Sequence, residues 1–402
     1  YTATLTGLVS GSAVLISQYW GKRDMARIRR IFAVVMWFCL GAAVLFAGAG
    51  RLFPKQMVGL VVGAGETAVT DAALSYFAIA CLTWLPYAVT TALIGMLRSI
   101  EVVKITLVVS VMALFLNVGL NAVLIFGLMG LPAMGVRGAA LATLITRLCE
   151  MAVVWFYTFH KQRVLTIRPR DLLRPDRALA GDYAKYGLPV ALTDMQWALI
   201  GMLKAAIIGQ MGKVFMAANS IANSMANLGT MFTFALAGGA CVMVGKAVGR
   251  GDYDRAKEYS KTIQILFFGI GLVMAALVFL LRRPFASLYG SAADPEVFRL
   301  STTMIAILAV TLVGTSYHAS CFVGINRGAG DSRFVAMVDM ICGWLVVLPA
   351  TLLAAFVFHW PLPVVFLCTR IDQCFKWIIA FFRLRGDRWI CNVTRETAID
   401  KN

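Results

Sequence analysis

Apolar runs of 20 to 30 residues recur along the whole chain, separated by short polar or basic connections. Each exceeds the roughly 20 apolar residues that an α-helix needs to cross about 30 Å of hydrocarbon. Strand-like alternation is absent, and in lipid only helices and closed barrels satisfy their own backbone groups. The pattern therefore predicts an all-α polytopic membrane protein. Eleven spans are expected, at 1–20, 31–50, 71–97, 105–127, 138–160, 187–210, 215–245, 262–281, 300–324, 334–357 and 362–383.

Composition and charge sharpen this picture. Apolar residues make up 60% and charged residues 14%, against roughly 45–50% and about 25% in soluble domains. Alternate connections (21–30, 98–104, 161–186, 246–261, 325–333 and the tail from Arg383) hold 26 basic residues, and the intervening loops hold 7. The rich side is expected to be cytoplasmic. The net charge of +17 thus lies on one membrane face without interleaved surface aromatics, which argues against nucleic acid as a partner. The nine cysteines sit mostly within spans with no C-x-x-C pair, so neither a zinc site nor a disulfide framework is expected. No secretory signal peptide opens the chain, and Tyr1 reads as the middle of a helix.

The chain repeats itself. "GSAVLISQYWGKRDMARIRR" at 11–30 and "GACVMVGKAVGRGDYDRAKE" at 239–258 superpose at an offset of 228, matching Gly21 with Gly249, Asp24 with Asp252 and Arg27 with Arg255. Gly95 and Arg98 match Gly324 and Arg327 at an offset of 229. The counterpart of the span beginning near Tyr186 would precede Tyr1, so one helix is expected to be missing from a six-plus-six arrangement. An even number of spans per half gives both halves the same orientation, with a pseudo-twofold axis along the membrane normal. The expected organisation is an N-terminal lobe at 1–160 with five spans, a cytoplasmic linker at 161–186, and a C-terminal lobe of six spans plus tail at 187–402. Two like-oriented lobes suit a transporter that alternates access to a central cavity.

Several stretches, taken in order, resemble the multidrug and toxic compound extrusion (MATE) transporters of bacteria: "SGSAVLISQYWGKRD", "LNVGLNAVLIFGLMGLPAMGVRGAALATLITRLCE", "YGLPVALTDMQWALIGML", "AANSIANSMANLGTMFTFALAGGACVMVGKAVGRGD", "GINRGAGDSRFVAMVDMICGWLVVLP" and "DQCFKWIIAFFRLRGDRWICNVT". The resemblance implies a multi-pass protein of the bacterial inner membrane, monomeric and without a cofactor. It also implies export of organic cations or other amphipathic drugs in exchange for Na⁺ or H⁺.

Ionisable residues within spans are costly, about 2.5–3.5 kcal/mol for Asp, Lys or Arg at mid-helix, so each calls for a partner or a function. Asp194 is the leading coupling residue. The resemblance places an acid there, followed by an aromatic matching Trp197, and a carboxylate in a poorly solvated cavity can take a proton, Na⁺ or a cationic drug. Packing against a neighbouring hydroxyl is the alternative. Asp372 and Lys376, spaced i, i+4, are expected to meet on one helix face, as a structural ion pair or as cavity lining. Where the family carries an acid pair, this chain has Asp372 and Gln373. Asp339 is read either as a binding acid or as a water-exposed helix end. Arg147 and Glu150, one turn apart, are expected to neutralise each other. Lys204 is expected to snorkel toward the headgroups or to face the cavity, where it would repel cationic cargo.

Asn117 and Asn121, like Asn219, Asn223 and Asn227, form i, i+4 ladders that bridge helices or line the cavity. Gln18 and Lys246 occupy equivalent repeat positions, which suggests matched sites at the cytoplasmic helix ends. Pro86, Pro189 and Pro349 are expected to bend spans. Tyr87 and Tyr317 are candidate aromatic walls for a cation, and His318 a proton relay. The motif at 63–67, "GAGET", lacks a following Lys and is no phosphate loop. A flippase for a lipid-linked sugar is the alternative function, and would call for a more cationic cavity. An enzyme would need clustered catalytic groups, such as an Asp-rich metal motif, and the sequence carries none.

Overall fold

The computed structural model describes residues 1–59, 67–130, 132–162, 164–167, 171–172, 176–289 and 294–395. The 63–67 motif lies almost entirely outside them. The helices run in chain order as α1 (Thr2–Gly21), α2 (Met25–Leu52), α3 (Pro54–Gly59), α4 (Thr67–Ser99), α5 (Lys104–Phe126), α6 (Gly135–Phe156), α7 (Arg177–Tyr186), α8 (Leu188–Gln210), α9 (Lys213–Gly249) and α10 (Tyr253–Leu288). They continue as α11 (Pro295–Ala319), α12 (Ser332–Met340), α13 (Leu348–Leu352), α14 (Leu362–Cys368) and α15 (Asp372–Arg385). Among the described residues nine helical segments are long and apolar enough to cross a membrane. Helix α1 is the expected length but less apolar, and the last expected span is divided between α14 and α15.

The repeat at 11–30 and 239–258 has a local structural meaning. Asp24 and Asp252 each stand just before a helix, and their side chains accept from the backbone N–H of Arg27 and Arg255 at 3.0 and 3.2 Å. That satisfies one of the four N–H groups left unpaired at each helix start. The same carboxylates pair with the Arg27 and Arg255 guanidinium groups at 3.4 and 3.7 Å.

The chain forms two compact units. One comprises residues 1–16 and 24–184, the other residues 17–23 and 185–402. In the first, α4 packs on α2 and α6, and α5 packs on α6. Tyr183 of α7 is fully buried there, donating from its hydroxyl to the Leu8 carbonyl at 2.7 Å, with its ring 5.3 Å from that of Phe38.

In the second unit α9, α10 and α11 pack together, α11 meets α15, and α8 meets α12. The core between α8, α9 and α11 is built from Ile200, Phe215, Ile221, Met304, Leu308 and Leu312. Gly21 and Gly249, equivalent in the repeat, lie where the end of α1 crosses the end of α9. A Cβ on either would overlap backbone of the other helix, at Lys246 and Gln18 respectively.

Two spans of this unit are irregular, for identifiable reasons. Pro349 has no N–H and cannot continue an α-helical ladder. The helix around α13 widens on both sides of it into π-helical turns, Ile341–Val347 and Leu353–Val357. Between α14 and α15 the chain tightens through i to i−3 bonds, from Arg370 N–H to Leu367 and from Ile371 N–H to Cys368. The Thr369 hydroxyl there donates to the Phe366 carbonyl at 2.7 Å, competing with the backbone for it. Pro189, expected to bend its span, instead sits in the first turn of α8, where a missing N–H costs nothing.

Candidate functional site

The polar residues of the second unit's spans gather into two linked groups. Asp194, in the second turn of α8, accepts from Arg327 Nη2 at 3.0 Å. Arg327 directly follows the π-helical end of α11, Ser320–Asn326, and is nearly buried. Around this pair lie buried polar atoms without a protein partner: Arg327 Nε and both carboxamide atoms of Asn326. Gln196, two residues along α8, is likewise unpartnered at both atoms. Unpaired buried polar atoms are rare, and each asks for an explanation in solvent or ligand.

The second group centres on Lys376 of α15. Its ammonium donates to Asp339 Oδ1 of α12 at 2.7 Å and pairs with Asp372 Oδ2 at 3.1 Å. It also lies 4.3 Å from the ring centre of Trp197 of α8, within cation–π range. Gln373 Nε2 donates to Asp372 at 2.7 Å, and its Oε1 accepts from Thr315 of α11 at 2.8 Å. Three helices, α8, α12 and α15, thus meet at one buried charge, and α11 joins through Gln373. Exposure separates the three acids: the side chains of Asp339 and Asp372 are 9% and 2% exposed, that of Asp194 28%.

Beside this network is a cavity of about 570 Å³ whose lining includes Phe268, Thr311, Tyr317, Gln373, Trp377 and Phe381. Gln373 therefore faces the cavity and bonds Asp372 as well. The Tyr317 hydroxyl donates to Gln264 Oε1 at 2.7 Å. His318 is nearly buried, with Nδ1 2.9 Å from the Gly314 carbonyl, where the N–H donates and the carbonyl accepts.

The other candidates stand apart from this cluster. Asn117 belongs to the first unit, where Nδ2 reaches Thr146 Oγ1 at 3.4 Å and Oδ1 accepts from Asn121 at 2.9 Å. Arg147 pairs with Glu150 at 2.7 Å and lies over the Tyr87 ring at 4.7 Å. Gln18 is fully buried and holds the C-terminal tail, donating to the Gly328 and Cys391 carbonyls and accepting from the Val393 N–H at 2.8 Å. Lys246 lies half-buried in the last turn of α9. Asp331, in the loop beneath the tail, is held by Arg383 at 2.8 Å. Burial pushes its carboxyl above the usual range although that guanidinium pulls the other way.

Arg327 is a partner of Asp194 that helical spacing does not give. As a basic residue at a span end it reads from the sequence as part of a cytoplasmic connection. The signals available were its place in the repeat, opposite Arg98, and the need of a membrane carboxylate for a counter-charge. Arg98 is exposed and Arg327 nearly buried, so the repeat alone does not predict the difference.

The MatE family model matches residues 1–123 and 189–369. A probable multidrug resistance protein NorM of Agrobacterium fabrum is 28% identical over 348 residues, covering 82% of this chain and 71% of that protein. The uncharacterized transporter YisQ of Bacillus subtilis is 23% identical, covering 95% of this chain and 83% of its own. Among solved structures, a MOP superfamily transporter from Pyrococcus furiosus superposes with a TM-score of 0.86 at 19% identity, over 98% of this chain and 86% of that one.

Proposed function

The chain belongs to the MatE family of membrane transporters, and on that premise we propose that it is a secondary active antiporter exporting organic cations or amphipathic drugs in exchange for Na⁺ or H⁺. Access alternates between an N-terminal and a C-terminal lobe. Asp194 is the exchanging carboxylate. The observation that carries this reading is the contrast among the three membrane acids. Asp339 and Asp372 are closed around Lys376, while Asp194 keeps an accessible side chain that pairs with Arg327.

One carboxylate does not fully balance a guanidinium and an arriving cation together, so a proton, Na⁺ or organic cation binding at Asp194 must loosen the Arg327 contact. The unpartnered amide of Asn326 and Nε of Arg327 are the adjacent groups available to take up the change. Competition of two cations for one carboxylate makes their binding mutually exclusive, which is the requirement for exchange.

The test is efflux of ethidium, a fluorescent organic cation, from cells expressing the protein, with Na⁺ and pH gradients imposed separately. Asp194→Asn is expected to lower gradient-driven efflux at least tenfold with normal protein in the membrane. Unchanged coupled efflux in that variant would remove Asp194 from the mechanism. The gradient that drives the unmodified protein identifies the coupling ion.

A further inference from the structure

Two cations of the second unit are not used by this mechanism. Lys204 of α8 donates to the Thr369 carbonyl at 3.3 Å, and Arg370 Nε donates to Thr311 Oγ1 at 3.1 Å. Both partners are neutral. Neither cation has a carboxylate within ion-pair distance among the described residues, although both lie within spans or at a span break. Lys204 does not simply snorkel to the surface: it is anchored at the break between α14 and α15, next to Arg370 in the chain.

The surrounding charges do not balance them. Asp194 and Arg327 sum to zero. Asp339, Asp372 and Lys376 sum to −1, and Lys204 with Arg370 contributes +2, leaving +1. Asp372, two residues along the chain from Arg370, is already bonded to Lys376 and Gln373. The remaining donors are two on Lys204 and four on Arg370. None of these donors is among the fully buried unpartnered atoms of the described residues, where Arg327 Nε is the one guanidinium nitrogen so placed, and both side chains are half-buried, so the donors are open to a ligand. Thr311, the partner of Arg370, also lines the 570 Å³ cavity with its Phe268, Trp377 and Phe381 walls. That volume is within the range of sites for drug-sized ligands.

We propose that Lys204 and Arg370 form a binding site for the head of an amphiphile carrying one negative charge, a carboxylate, sulfonate or phosphate, whose apolar body occupies the adjoining cavity. The single charge matches the single uncompensated cation. An Arg fork and a Lys point charge are suited to such oxyanions. The site lies ten residues beyond Asp194 on α8, about 15 Å along the helix, so anion and cation are recognised at separate places. The proposal rests on the reading of the chain as a transporter of amphipathic compounds and extends its cargo to anionic and zwitterionic ones.

The experiment compares three ligands with one fluorophore: dansylglycine (anionic), dansylglycinamide (neutral) and dansylcadaverine (cationic). Their binding to the purified full chain in phosphatidylcholine nanodiscs is followed by energy transfer from tryptophan. Dansylglycine is expected to bind at least tenfold tighter than its amide. Lys204→Gln and Arg370→Gln should each remove most of that preference, with little change for the amide, and Lys204→Arg should retain it. Lys204→Arg also keeps the test decisive if a glutamine variant fails to fold. Equal affinity for anion and amide, or equal losses for both in the variants, would overturn the proposal. Repeating the titration with phosphatidylglycerol in the nanodiscs separates the sources: weaker dansylglycine binding assigns the site to a lipid phosphate, and unchanged binding to a free substrate. Because the readout is affinity, it stands or falls independently of the Asp194→Asn efflux result.

Discussion

Lys376 fixes the state of two carboxylates at once. With both Asp339 and Asp372 within 3.1 Å of its ammonium, replacing it by Met leaves two buried negative charges facing each other without a counter-ion. Removing one partner of a buried ion pair costs about 3–5 kcal/mol. Lys376→Met should therefore lower the thermal unfolding midpoint markedly in detergent, and adding Asp339→Asn and Asp372→Asn should recover much of the loss. An unchanged midpoint for the single variant would show that the pairs contribute nothing. The contacts of this site were unequally readable from the sequence. Asp372 and Lys376 meet because i, i+4 spacing is a local property of any helix. The Asp339–Lys376 and Asp194–Arg327 contacts join residues 37 and 133 positions apart, and periodicity carries no information about which helix faces which. Arg327 was hidden for a second reason: a basic residue at a span end reads first as a topology signal, and only its burial reveals it as a counter-charge.

At the scale of elements, the duplicated sequence marks two helix starts and one helix crossing. Asp252→Ala removes the α10 cap and should cost about 1 kcal/mol. Gly249 has a sterner requirement, because a methyl group there would overlap the Gln18 backbone. Gly249→Ala is expected to cost about 1–3 kcal/mol through overpacking and to exceed the cap variant in a side-by-side thermal melt. The reverse order would mean that the α1 and α9 ends part easily. The apolar runs announced most helices, since covering backbone polar groups in lipid leaves few alternatives. What the runs did not announce was internal irregularity. The 362–383 run contains a tightened turn at Thr369–Ile371, where a hydroxyl takes a backbone carbonyl. The 334–357 run contains π-helical turns about Pro349. Both depend on individual side-chain hydrogen bonds and a missing N–H, which average hydropathy does not register.

At the scale of the whole molecule, the distribution of charge makes a claim about orientation that is independent of any binding site. The connection from Lys246 to Lys261 carries five basic residues, and the next connection, beyond α10, carries Arg282, Arg283 and Arg299. The asymmetry summed over all connections, 26 against 7, predicts that the first of these is cytoplasmic. Helix α10, which joins them, is 36 residues long, about 54 Å at 1.5 Å per residue. That exceeds both the hydrocarbon core and the headgroup regions, so its two ends must emerge on opposite sides. Alkaline phosphatase fused after Leu288 should be active, and fused after Gly251 inactive, with green fluorescent protein giving the opposite pattern. Activity at Gly251 together with silence at Leu288 would invert the orientation. It would also move Asp194, in the second turn of α8, from the cytoplasmic end of its span to the external one, and with it the side from which the cargo first meets the carboxylate.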